Sequence, residues 1–229
     1  MNSHLRHDLK QLKDRLLKVA IAVEENVRKS VRAITELSEP LAREVVSADA
    51  GIDKMEVDTE EECLKILALH QPVASDLRFV VTVLKINNEL EHIGDVTANV
   101  AKRAIMLKAQ PKIEIPFDLD KMASRTIYML RSSIDAFLRG DELLAIGVCE
   151  DDEIVDSENR RCYGAVERGV KSAPETAMAE INYLLVSKCF ERIADLCTNI
   201  AEDVIYMKHS IIVRHNVKAA AEEIRNGDA

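Results

Sequence analysis

The stretch EHIGDVTANVAKRAIMLK (91–108) returns 100 residues later as ERIADLCTNIAEDVIYMK (191–208). Seven of the 18 aligned positions are identical, and they include a Glu, an Asp and an Asn at the same spacing. Amphipathic helices often share apolar positions by chance, but they seldom share acidic and amide side chains in register. The two stretches therefore indicate an internal repeat, and we expect two copies of one structural unit.

The composition favours helices in both copies. Among the 229 residues, seven glycines and five prolines make up about 5%, against roughly 12% in average usage. Aromatic residues contribute only 3% and hydrophobic residues 47%. Because sheets favour aromatic and β-branched residues and need Gly or Pro in their turns, we predict an all-α fold with a sizeable core.

Charge and hydropathy exclude several classes of protein. The net charge of −9 disfavours binding to nucleic acid. The longest apolar runs, such as 79–84, are far shorter than the ~20 residues of a membrane span, and residues 1–14 lack the apolar core of a secretory signal. The five cysteines show no C-x-x-C spacing. We therefore expect a cytoplasmic protein with reduced thiols and no membrane insertion, although peripheral recruitment to a membrane is compatible with these features.

Five prolines divide the chain into segments that suit long helices. The predicted helices cover residues 3–37, 40–70, 75–109, 119–138, 142–171 and 175–213, with Ser75 as the N-cap of the third and a tail after 213 that begins helical and frays. QPKIEIPFD (110–118) is the predicted linker. This order predicts two tandem three-helix bundles, with domains 1–112 and 113–229.

Each predicted bundle carries two pairs of acidic residues that are four residues apart. The pairs are Asp49/Asp53, Glu91/Asp95, Asp152/Asp156 and Glu191/Asp195. Residues i and i+4 project from the same side of a helix, so each pair places two carboxylates next to each other.

The positions of the pairs predict that they meet. In an antiparallel helical hairpin, residues equidistant from the turn lie side by side. Asp53 and Glu91 are equidistant from Pro72, and so are Asp49 and Asp95. In the second bundle, the acids of the fifth and sixth predicted helices pair in the same way around the turn at 173–174. Each hairpin should therefore hold four carboxylates at one level. Hard cations are the usual partners of such clusters.

The same acids have a second interpretation, in which they lie on solvated surfaces and pair with Lys or Arg. On the third helix, Glu91 and Asp95 lie nearly opposite the apolar stripe that contains Leu90 and Ile93. This placement predicts a cluster in an open groove rather than a buried cage.

Neighbouring polar residues extend the candidate sites. Asn99 and Asn199 follow each acidic pair and, with His92, are candidate outer ligands. Glu89 and His92 form the Glu-x-x-His element of di-iron bundles, but such sites need that element twice. There is no Gly-rich phosphate loop and no nucleophile–base constellation, so no catalytic residue is predicted and we do not expect an enzyme.

The segments QPVASDLRFVVTVLKINNELEHIGDVTANVA (71–101) and FERIADLCTNIAEDV (190–204) resemble the PhoU family of phosphate-signalling proteins. The resemblance covers nearly the whole chain, and the family's E(D)-x-x-x-D motifs fall on the eight acids given above. Two positions depart from the family pattern: His92 stands in place of the usual Arg, and Ala194 in place of Gly. Whether the second groove tolerates the added methyl is left open.

The resemblance implies multinuclear metal clusters on the acid pairs, with iron favoured and manganese, magnesium, calcium or zinc as alternatives. It also implies a homodimeric cytoplasmic negative regulator of phosphate uptake, which links a phosphate ABC transporter ATPase to a sensor histidine kinase. An oxidative or phosphohydrolytic metalloenzyme is the alternative function. A helical protein whose acids bind nothing is the third hypothesis.

Overall fold

The computed structural model describes residues 3–209, which form six helices and one short 3₁₀ turn without any strand. The helices are α1 (Ser3–Glu36), α2 (Glu39–His70), α3 (Ala74–Lys108), α4 (Leu119–Arg139), α5 (Glu142–Ser172) and α6 (Ala177–His209), and the turn is Pro174–Thr176. The predicted all-α fold of two three-helix units is confirmed. The end of the sixth predicted helix and the tail lie outside the described residues, and the division at residue 112 stays a prediction.

Local chemistry explains three of the helix ends. Gln71 terminates α2 in the left-handed conformation, with its backbone N–H donating to the Leu67 carbonyl, and Pro72 follows. Asp118 and Asp141 cap α4 and α5, because each side chain accepts a bond from the backbone N–H three residues on.

The predicted N-cap of α3 is wrong. Val73, which is extended, occupies the cap position and has no side-chain hydrogen bond. The chain already turns into the helix at Ala74, whose φ is 48°. Ser75 therefore lies inside the first turn, where it cannot take the role of the residue that precedes the helix.

Each unit packs three helices together, and the two units share one core. α1 packs on α2 and α3, α4 packs on α5 and α6, and α1 also touches α4. The buried apolar side chains of both units form a single contiguous cluster, against which linker residues Ile113, Ile115 and Phe117 pack. All five cysteines are free thiols. No helix within residues 3–209 has the length and apolar character that a membrane crossing requires.

α3 and α6 join the two units and run antiparallel. Lys85 donates to Asp203 at 2.6 Å, and Arg103 donates to Asn182 at 3.4 Å. Residue numbers therefore increase along α3 in the direction in which they decrease along α6. The Lys85–Asp203 pair also contacts the Tyr206 ring, with the Lys85 Nζ 5.2 Å from its centroid.

We expect Lys85→Met to lower the free energy of unfolding by about 1–2 kcal/mol, because Asp203, only 6% exposed, would keep a buried charge without its partner. The double variant Lys85→Met/Asp203→Leu should regain most of that loss, since it removes both charges. Urea denaturation of the three proteins checks this. A single variant as stable as the parent would contradict the structural role of the pair.

Candidate metal centres

The first carboxylate cluster lies between α2 and α3, where the hairpin geometry predicts it. Burial raises the pKa of Asp49, and the charges of Asp95 and Asp53 raise it further. Burial also raises the pKa of Glu91, with Asp95 the next cause and Asp53 a smaller one. Asp53 and Asp95 are exposed, whereas Asp49 and Glu91 are half-buried. The charges of these carboxylates therefore interact across α2 and α3, and their role as metal ligands stays a prediction.

The space between the two helices at Gly94 would accept a side-chain methyl. A Cβ added to Gly94 would lie 3.4 Å from Ile52 Cγ2 and 3.5 Å from Asp49 Oδ1, which is ordinary van der Waals contact. In the second unit the equivalent methyl exists on Ala194, which is fully buried. A methyl at this level is therefore accommodated in the second unit.

The second cluster lies between α5 and α6 and is more deeply buried. Burial raises the pKa of Asp152 to about 7, and the charges of Asp156, Asp195 and Glu191 contribute to the rise. Burial likewise raises the pKa of Asp195. The Oδ1 atom of Asp152 is buried and has no hydrogen-bond partner.

Both clusters lie at the same level of the molecule. The contacts of Lys85 with Asp203 and of Arg103 with Asn182 bracket residues 91–95 on α3 and residues 191–195 on α6. Because the two helices are antiparallel, the acids of one unit are level with those of the other. This relation could not be obtained from either hairpin alone.

The three candidate outer ligands have different surroundings. His92 Nε2 lies 3.7 Å from Glu91 Oε2, beside the first cluster. Asn99 is exposed and accepts from Lys102 at 3.4 Å. Asn199 donates to Glu89 of the other unit at 3.3 Å, so its amide ties α6 to α3. An outer-ligand role for these residues stays a prediction.

The chemistry of the donors, although not their arrangement, suits a hard cation. All eight predicted ligands offer carboxylate oxygens, the donors that such ions prefer. The unpartnered Oδ1 of Asp152 is a buried acceptor in need of a partner. Within residues 3–209, however, no group of three or more His, Cys, Asp or Glu side chains is arranged so that it could hold a metal ion. The fit therefore rests on donor chemistry and on the Asp152 oxygen.

One carboxylate near the first cluster was not predicted from the sequence. Glu56 of α2 lies close enough to Asp53 and Glu91 for their charges to interact. Its position, seven residues after Asp49, places it on the same side of α2. That spacing is the signal that could have found it.

The fold and the clusters define a class: an all-α chain of two homologous three-helix units, each with a carboxylate groove. The PhoU domain matches the chain twice, over residues 16–104 and 119–204. The PhoU homolog of Aquifex aeolicus, named a phosphate-specific transport system accessory protein, is 34% identical over 208 residues, which are 91% of this chain and 94% of that protein. The corresponding protein of Pseudomonas aeruginosa is 33% identical over 96% of this chain and 91% of its own.

Solved structures agree with the sequence matches. The crystal structure of PhoU from Pseudomonas aeruginosa has a TM-score of 0.87 at 32% identity and covers 90% of this chain and 99% of that chain. The crystal structure of the phosphate transport system regulatory protein PhoU from Streptococcus pneumoniae has a TM-score of 0.82 at 27% identity. It covers 91% of this chain and 99% of that chain. This chain belongs to the PhoU family. Its relatives are named as accessory and regulatory proteins of phosphate transport rather than as enzymes. These names agree with the prediction that the chain is not an enzyme.

Asp152 should make the stability of the cation-free protein depend on pH. Because its folded pKa of about 7 is above the ordinary 3.8, the folded chain holds a proton that the unfolded chain has lost, and stability falls as the pH rises through 7. In Asp152→Asn, the loss of stability between about pH 5 and pH 8 should be smaller by on the order of 1–2 kcal/mol after allowance for solvent screening. Urea melts with chelator measure this. The neighbouring exposed Glu153→Gln should keep most of the parent's pH dependence, and an unchanged slope in Asp152→Asn would contradict the assignment.

The double variant Asp53→Asn/Glu91→Gln should be more stable than the parent in chelator, by on the order of 1 kcal/mol, because it removes two of four neighbouring like charges. It should also lose most of the stabilisation that the parent gains from added iron or manganese, since a ligand stabilises only through a site in the folded state. Melting curves with chelator and then with metal compare the two proteins. If the acids were merely salt-bridged on the surface, the variant would be equal or slightly less stable.

Proposed function

We propose that this chain is a cytoplasmic, metal-binding regulator of phosphate uptake that acts as an adaptor rather than as a catalyst. The observation that carries the proposal is the pair of carboxylate clusters, one in each PhoU unit, at the same level across α3 and α6. The names of the relatives support the link to a phosphate transport system.

The ligands in this proposal are the eight acids of the two clusters. Asp49, Asp53, Glu91 and Asp95 would hold cations in the first groove, and their equivalents on α5 and α6 would do so in the second. A bound cation supplies positive charge that neutralises the mutual repulsion of these carboxylates. Iron is the favoured metal.

The side chains themselves couple the grooves to helix packing. Each groove draws its acids from two helices, so any rearrangement of the carboxylates acts on the α2–α3 or α5–α6 contact. The Asn199–Glu89 hydrogen bond then connects the acidic sides of α6 and α3. Occupancy of a groove can therefore change the outer surfaces that α2 and α5 present to partner proteins.

The partners in the proposal are the ATPase subunit of a phosphate ABC transporter and a sensor histidine kinase, with this chain acting as a homodimer that dampens the phosphate-starvation response. We expect tagged full-length protein to capture both partners from cells, with a yield that depends on phosphate supply. A variant that carries Asp53→Asn, Glu91→Gln, Asp156→Asn and Glu191→Gln should lose the phosphate dependence of that capture. Light scattering of the parent should give twice the mass of one chain.

Several outcomes would overturn the proposal. Clean negative captures under both phosphate conditions would contradict the adaptor role. Metal-dependent hydrolysis of a phosphoester, or turnover of a peroxide, that disappears in Glu91→Gln would favour a metalloenzyme instead. A parent that retains no metal after reconstitution with iron, manganese or zinc would contradict metal binding.

A further inference from the structure

A cavity of about 500 Å³ opens where the two units meet the linker. The ends of α1 and α3, the linker and one residue of α6 form its wall. It lies away from the carboxylate clusters, since Leu107 in its wall is ~18 Å further along α3 than Asp95. Ligand cavities typically measure about 300–1,000 Å³. The volume therefore suits a small molecule.

Apolar side chains form one part of the wall. Leu107 is buried, and Leu37, Ile113 and Ile115 are half-buried and pack against the core of the protein. An apolar group that enters the cavity leaves water and gains contact with these side chains, which is favourable. The wall therefore suits a ligand with an apolar body.

Tyr183 of α6 adds an unpaired hydroxyl to the wall. Its side chain is 5% exposed, and its hydroxyl has no hydrogen-bond partner within residues 3–209, although the oxygen is not sealed from solvent. Buried tyrosine hydroxyls usually have a partner, because an unpaired one costs free energy. Burial raises the pKa of Tyr183, so the hydroxyl keeps its proton and can donate to a ligand.

The repeat shows that helix packing does not require this hydroxyl. Tyr183 aligns with Val83 at the offset of 100 residues, and Val83 is fully buried. The first unit therefore fills the equivalent position with a side chain that has no polar group. The hydroxyl of the second unit needs another explanation, and the cavity beside it supplies one.

Two lysines bring positive charge to the cavity. Lys112 forms no ion pair with an acid in the described part of the chain, and Lys108 is 3.7 Å from Glu39. The acid in the wall itself, Glu36, is already paired with Arg32 at 3.3 Å. The charge that remains available to a ligand is therefore positive, which favours an anionic group.

The nearby helix ends do not occupy these lysines. Backbone carbonyls at the ends of α1 and α3 attract cations. The backbone N–H groups of Ser38 and Gln110 each donate to a carbonyl of the preceding turn at 3.0 Å, so part of this demand is met within the backbone. Neither lysine is recorded as donating to a carbonyl among residues 3–209.

We propose that this cavity binds a small amphipathic anion, with one carboxylate or phosphate group on an apolar body. The apolar body lies against Leu107 and Ile113, while the Tyr183 hydroxyl and the Lys112 ammonium group donate to the anionic oxygens. The inference is independent of metal binding and of the carboxylate clusters. Because the wall includes both units and the linker, a bound ligand stabilises their junction.

Anilinonaphthalene sulfonate is a suitable probe, because it carries one anionic group on an aromatic body and becomes fluorescent outside water. The full-length protein should bind it saturably, and octanoate or octyl phosphate should displace it. Octanol and octylammonium have the same chain without the negative charge, so they should compete at least about tenfold more weakly. The better competitor of octanoate and octyl phosphate identifies the preferred anionic group.

Tyr183→Phe tests the hydroxyl. It should weaken binding of the probe about tenfold, because the anion loses a donor. Its urea midpoint should be unchanged or higher, because the hydroxyl has no partner in the folded protein. The matched control is Tyr163→Phe, an exposed tyrosine of α5, which should change neither measurement.

Lys108→Gln/Lys112→Gln tests the positive charge. It should weaken binding of the probe about fivefold at low salt and less at high salt, where ions screen the attraction. Lys10→Gln/Lys54→Gln removes the same charge from exposed positions outside the cavity and should have no such effect. Since Lys108 and Lys112 are exposed, this variant decides the matter even if Tyr183→Phe does not fold.

Three results would overturn the inference. The parent could show no saturable binding of the probe, octanol could displace it as well as octanoate does, or folded Tyr183→Phe could bind it as tightly as Tyr163→Phe. None of these results would bear on the proposed metal binding or on the adaptor role.

Discussion

Antiparallel packing of α3 against α6 holds the two halves of this chain together and sets the two carboxylate clusters at the same level. Ile93 and Ile193 are fully buried and occupy the same position in the repeat. Because α3 and α6 are antiparallel and make contacts on either side of these isoleucines, the acids that flank Ile93 lie at the same level as those that flank Ile193. A shift of one helix by a single turn would move the clusters apart by ~5 Å.

This packing makes it feasible to collect eight carboxylates in a small part of the fold. The apolar side chains on the inner sides of the helices form one contiguous core, whose burial opposes the repulsion between the acids. All eight acids are exposed or half-buried, where water screens their charges. Asp152 differs in that its Oδ1 atom is buried without a hydrogen-bond partner, and burial raises its pKa to about 7.

The two units have kept their helices and changed the details of their grooves. Gly94 corresponds to Ala194, and the Asn87–Glu56 contact corresponds to the Ser187–Asn159 contact. Each change preserves the packing of its hairpin, since a small residue replaces a small one and a hydrogen bond replaces a hydrogen bond. What differs is the charge at the contact, because Glu56 is an acid and Asn159 is an amide. Duplication therefore supplied two similar hairpins, and a few polar substitutions made them electrostatically unequal.

The sequence by itself determined the all-α class, the repeat, the helix ranges within a few residues and the acids that meet in each hairpin. These follow from local rules, since helix periodicity and a constant rise per residue relate the chain to its own neighbours. Tertiary structure decided the start of α3 after an extended Val73, the contact of Asn87 with Glu56 and the shared level of the two clusters. Helix periodicity does not predict these features, because each depends on how side chains of separate helices pack together. The contacts between α3 and α6, which join residues about 80 to 130 positions apart, depend on the whole core forming at once.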